Sequence, residues 1–91
     1  MMTPEPAVRP LTMAVVEGVR ENLGLTIRDF CVLLGASRQT YYNWVRAGVV
    51  PDATRKRVRN RLRSMVRIAG EYDLPDTSKE RAAILSGLFA A

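Results

Sequence analysis

The side chains best suited to chemistry in this sequence lie close together between Ser37 and Ala47: Arg38, Gln39, Thr40, Tyr42, Asn43 and Arg46. All carry hydrogen-bond donors, and none is an acid. At roughly 100° per residue, a helix over this stretch leaves Tyr41 and Trp44 together on its other side. Guanidinium and carboxamide groups displayed in this way can read base-pair edges in a major groove, Arg bidentate to guanine and Gln or Asn to adenine. Arg38, Gln39, Tyr42 and Asn43 are therefore the candidate base contacts.

A second constellation follows at once. Residues 53–69 hold Arg55, Lys56, Arg57, Arg59, Arg61, Arg63 and Arg67 and no acid. On a helix, Lys56, Arg59, Arg63 and Arg67 share one face, away from an apolar stripe. Arg55, Lys56 and Arg57 would sit in the first turn, where cations oppose the helix macrodipole at a cost of about a few tenths of a kcal/mol each. A phosphate partner explains that placement. The whole chain agrees, with 14 Lys plus Arg against 9 Asp plus Glu, a net charge of +5 and a pI near 10.1. Such a balance favours a polyanion as partner.

Other chemistries are poorly provided for. The sequence has no histidine and one cysteine, Cys31, too few ligands for a structural zinc site and no imidazole for a catalytic triad. No enzymatic activity and no cofactor are expected. In its apolar setting Cys31 reads as a small buried hydrophobe. A lone cysteine makes no internal disulfide, and MMTPEPAVRP lacks the basic and apolar regions of a signal peptide, so a cytoplasmic location is expected. No apolar run approaches the roughly 18 residues that a membrane span requires, so no membrane partner is expected.

The elements that must position these side chains are short helices. At 91 residues the chain suits one small domain. Residues 1–10, with Pro4, Pro6 and Pro10, read as a flexible arm. A first helix from Leu11 or Thr12 to Leu23 carries Val15, Val16, Val19 and Leu23 on one face, weakened at Gly18 by about 1 kcal/mol relative to Ala. Thr26 and Asp29 open a second, bearing Ile27, Phe30, Cys31, Val32, Leu33 and Leu34 and ending at Gly35. Ser37 caps a third that runs to Ala47 and is stopped by Gly48 and Pro51. Asp52 or Thr54 caps a fourth reaching Ala69, with Val58, Leu62, Met65, Val66 and Ala69 as its stripe and Gly70 as its stop. Thr77 and Glu80 cap a fifth, in which Ile84, Leu85, Leu88 and Phe89 cluster. No segment alternates as a strand. The prediction is an all-α, compact bundle of about five short helices containing a helix-turn-helix.

Cys31, Gly35, Ser37, Thr40, Tyr41 and Trp44 match, in register, the small residue, turn glycine, Ser-x-x-Thr and later aromatic of one family. Over the first helix to Pro51 the sequence resembles the Cro-like helix-turn-helix family of phage repressors and related plasmid and bacterial regulators. The resemblance implies that Ser37–Ala47 is a recognition helix, with Arg38, Gln39 and Asn43 facing base edges. It also implies that the loop after this helix and the start of the next lie along the DNA backbone, where Arg55, Lys56 and Arg57 fall. Thr26, Ser37, Thr40 and Arg46 complete the expected backbone contacts. Two positions depart from the pattern: Ile27 stands where a phosphate-touching Gln is frequent, and Tyr41 is bulkier than the usual Val or Ile.

The sequence thus divides into an arm (1–10), a helix-turn-helix domain (11–70) and a C-terminal helix (71–91) that completes the core or forms a dimer seam. The function expected is that of a sequence-specific double-stranded DNA-binding protein, a small transcriptional repressor or regulator of phage or mobile-element type. With so little chain beyond the fourth helix, no small-molecule ligand is implied. One short recognition helix reads only a few base pairs, so a homodimer is expected. Ile84, Leu85, Leu88 and Phe89 are its expected seam. The alternative is a protein-interaction module, an antitoxin or host-takeover factor, that works through the C-terminal helix and binds DNA only accessorily.

Overall fold

A computed structural model of the chain describes residues 9–89. Five helices follow in order: α1 (Met13–Leu23), α2 (Ile27–Leu34), α3 (Arg38–Ala47), α4 (Asp52–Glu71) and α5 (Ser78–Phe89). The fold is all-α. Of the expected arm, residues 1–8 lie outside the described residues, while Arg9 and Pro10 are exposed and non-helical. Among the described residues no helix is long and apolar enough to cross a membrane.

Local chemistry sets the helix boundaries. Thr12, Thr26 and Ser37 take extended backbone angles, and their hydroxyls accept from the amides of Val15, Asp29 and Thr40, satisfying N–H groups that have no partner within the first turn. Gly24, Gly35 and Gly48 end α1, α2 and α3 with φ of 65°, 69° and 80°, a region in which a side chain would be strained. The fourth expected stop differs. Gly70 lies inside α4, which runs on to Glu71 and closes at an extended Tyr72 whose N–H donates to the Ile68 carbonyl at 2.9 Å. A glycine permits a left-handed ending without requiring one. The start of α4 differs as well: Pro51 is the N-cap, with no side-chain cap bond, and Asp52 is the first helical residue.

The core gathers Val16 of α1, Phe30 and Leu34 of α2, Tyr41 and Trp44 of α3, Val58, Leu62, Met65 and Ile68 of α4, and Leu85 of α5. Two valines expected on inward faces are instead exposed, Val15 at 55% and Val66 at 53%, as is Val32 of α2 at 71%. Each sits one residue from a fully or nearly fully buried neighbour, and a step of roughly 100° carries it out of the buried arc. On α4, Ile68 takes the place expected for Val66. The four residues of the expected dimer seam differ in exposure. Leu85 is fully buried in the single chain, and Leu88 and Phe89 pack partly buried against the core, which leaves only Ile84 of the four exposed. α5 packs against α2 and α4, burying Ala82 and Leu85.

Two contacts not foreseen in the sequence tie distant parts together. An isolated antiparallel bridge joins Thr12 to Val49, with the Met13 N–H donating to the Gly48 carbonyl and the Val50 N–H to the Leu11 carbonyl, both at 2.9 Å. At the other end of the fold, the Thr26 N–H donates to Ser78 Oγ at 2.9 Å, and the Ser78 hydroxyl donates to Asp29 Oδ2 at 2.6 Å. This locks the start of α5 over the start of α2. Arg81 reinforces the lock by donating to the Leu23 carbonyl at the end of α1, at 3.0 Å.

Candidate nucleic-acid interface

The geometry of α3 follows from its buried side. Tyr41 is fully buried and Trp44 4% exposed, and Tyr41 stands edge-on to Phe30 of α2, with ring centroids 6.0 Å apart and planes at 86°. This aromatic contact fixes the rotation of α3 about its axis. Arg38, Gln39, Tyr42, Asn43 and Arg46 then all point to solvent, as the helical spacing predicts.

These outward groups are ordered among themselves. Asn43 Oδ1 accepts from Gln39 Nε2 at 3.2 Å and from Arg46 Nη2 at 2.7 Å, so three of the five form a row along α3. Arg38 has no hydrogen-bond or ion-pair partner among the described residues. Ser37 and Thr40 serve the helix: Ser37 Oγ accepts from the Thr40 N–H at 3.0 Å and donates to Thr40 Oγ1 at 2.9 Å. No acid lies on α3, so the local field favours an anion.

Behind α3 lies a polar network that the sequence did not signal. The Tyr41 hydroxyl donates to Glu17 Oε1 of α1; Glu17 in turn accepts from Arg20 at 2.7 Å, and Arg20 donates to the Leu25 carbonyl at 3.0 Å. The Arg20 hydrogen bond, with help from Tyr41, holds the Glu17 carboxyl below its usual range, while burial and the neighbouring Glu17 push the Tyr41 phenol up. The bulk of Tyr41, a departure from the resembled pattern, is what lets its hydroxyl reach α1.

The basic cluster at the start of α4 is less uniform than its sequence suggests. Arg55 pairs with Asp52 at 2.5 Å, and Arg57 Nη1 donates to the Leu34 carbonyl at 2.6 Å. That second bond satisfies a carbonyl at the end of α2 and puts a cation at the favourable pole of its dipole. Only Lys56 has no partner among the described residues. The four-residue face Lys56, Arg59, Arg63, Arg67 is divided too. Lys56 shares a depression of about 560 Å³ with Arg57, Asn60, Arg61 and Ser64, whereas Arg59, Arg63 and Arg67 border a different one. Asn60 and Ser64 are uncharged and so give no signal in the charge pattern, although they repeat Lys56 at helical spacing. Arg61 lies over the Phe89 ring, 4.7 Å from its centroid.

Thr26 is engaged within the fold. Its amide is bound by Ser78 and its hydroxyl donates to Asp29 Oδ2 at 3.1 Å, so the groups that would meet a phosphate are already engaged beside a carboxylate. The Ser78 hydrogen bond holds Asp29 below its ordinary range, keeping it anionic.

The chain matches no protein-family model, no curated protein and no solved structure.

Proposed function

We propose that this protein is a sequence-specific double-stranded DNA-binding protein, a small transcription regulator of phage or mobile-element type that acts by occupying an operator. In this reading α2 and α3 are the helix-turn-helix and α3 is the recognition helix. The observation that carries it is the exposed row on α3, where Arg38, Gln39, Tyr42, Asn43 and Arg46 face solvent from a helix pinned by Tyr41 and Trp44. Lys56 with Asn60 and Ser64 supplies the backbone contacts, and Arg55 and Arg57 first hold the scaffold. Binding as a two-fold dimer would double the readout. With Leu85 buried, its seam is reduced to Ile84 and Leu88 beside the exposed Tyr72, which together line one apolar depression. The rival reading, an interaction module working through α5, requires the apolar side of that helix to be free, and the core takes most of it.

Selection of bound fragments from random duplex DNA, followed by sequencing, tests the proposal. The expected result is a defined motif that loses definition at one position in Arg38→Ala. Equal recovery of all sequences, or a motif that no α3 substitution alters, would overturn it.

A further inference from the structure

A trough of about 460 Å³ runs along the surface between α1 and α4. Its floor is the buried Leu11 and Leu62, and its sides are Val15, Val19 and Val66. Val15 and Val66, both more than half exposed, are the two valines that helical periodicity assigned to the core and the fold left outside. They stand on the two helices that form this one feature, so the exposed apolar surface is contiguous, unlike that of scattered surface valines.

Three arginines border the trough from α4: Arg59, Arg63 and Arg67. Arg63 has no partner among the described residues. Arg67 faces Glu71 at 3.6 Å, with both side chains more than half exposed, a pair that contributes little and is readily exchanged. Arg59 donates to the Arg9 carbonyl. Among the described residues no acid lines the trough.

We infer that this trough is the docking surface for an acidic amphipathic helix of a partner protein, its apolar side lying along Val15, Val19 and Val66 and its carboxylates meeting Arg63 and Arg67. Charge decides between occupants. A second copy on a two-fold axis would bring the same surface to itself, setting three arginines of each copy against one another, with Glu71 already facing Arg67 of its own chain. A duplex would satisfy the arginines and leave the valines against phosphate. A helix with apolar residues at three- and four-residue spacing and flanking Asp or Glu satisfies both. No residue of α3 lines the trough, so this surface is independent of the proposed DNA contacts.

The test uses the full chain and two synthetic helical peptides of identical Leu and Glu composition, one amphipathic and one scrambled. Titrated into labelled protein, the amphipathic peptide should shift the resonances of Val15, Val19 and Val66, and the scrambled one should bind at least about tenfold more weakly. Arg63→Glu and Val15→Ser, both surface changes, should each weaken the amphipathic peptide about tenfold. Equal binding of both peptides would overturn the inference, as would shifts mapping elsewhere or unchanged affinity in both variants. Trough shifts produced by duplex DNA, or by dilution of the protein alone, would assign the surface to nucleic acid or to a second copy instead.

Discussion

Asn43 accepts from both Gln39 and Arg46 through one oxygen, so its removal frees two other side chains. Asn43→Ala should therefore blur two adjacent operator positions, whereas Arg38→Ala should blur one; each change costs about 1–3 kcal/mol of discrimination. Sequencing of selected fragments distinguishes the two patterns. Behind this face, Tyr41→Phe removes the hydroxyl that joins α3 to Glu17 and should cost about 1–2 kcal/mol in denaturant unfolding, since the lost bond ends on a charged group. Glu17 and Asp29 both titrate below their ordinary values of 4.5 and 3.8, chiefly through hydrogen bonds from Arg20 and Ser78 respectively. A carboxyl depressed by folding adds stability above its unfolded value, and that stability disappears as the pH falls through the folded one. The melting temperature should accordingly fall once the pH drops below about 4.5, and less steeply in Arg20→Gln and Ser78→Ala. Parallel melting curves across that range in both variants would sever the link.

At the scale of the helix, neighbouring cations in α4 have different work. Lys56→Ala should lower the slope of log K against log salt by about one and leave stability alone. Arg57→Ala should destabilise by about 1 kcal/mol through the Leu34 carbonyl it leaves unpaired. Salt titration and chemical denaturation of the two variants separate these roles. Gly18→Ala, at a site with open space around it, should stabilise α1 by about 0.5–1 kcal/mol; a lower melting temperature would refute the account of that residue. Helix order and the caps at Thr26 and Ser37 were readable in the sequence because they depend on residues within one turn of each other. So was the inward pairing of Tyr41 and Trp44. Partners dozens of residues apart leave no local trace, and for that reason Ser78 over Thr26, Arg57 on Leu34 and Tyr41 on Glu17 were invisible. The exposed Val15 and Val66 show the limit of periodicity, which marks an apolar arc without saying how wide an arc the neighbouring helices cover. Gly70 misled for the opposite reason, as the residue type allows two outcomes and only the surrounding turn chooses.

For the molecule as a whole, burial of Leu85 separates folding from association. Leu85→Glu should unfold the chain, since it places a charge in the core. Ile84→Glu should leave the helical signal intact and, if two copies share an operator, abolish cooperative binding to a palindrome with half-sites about ten base pairs apart. Sedimentation of one chain per operator, with a non-palindromic motif, would rule out the dimer. The bridge between Thr12 and Val49 has a different kind of consequence. It joins the residues just before α1 to those just after α3, so the two ends of the first three helices are tied to each other. Opening should then be a single event: the Met13 and Val50 amides, which make the two closing bonds, should show one common opening free energy in exchange with solvent deuterium, each rate being referred to that amide's own intrinsic rate.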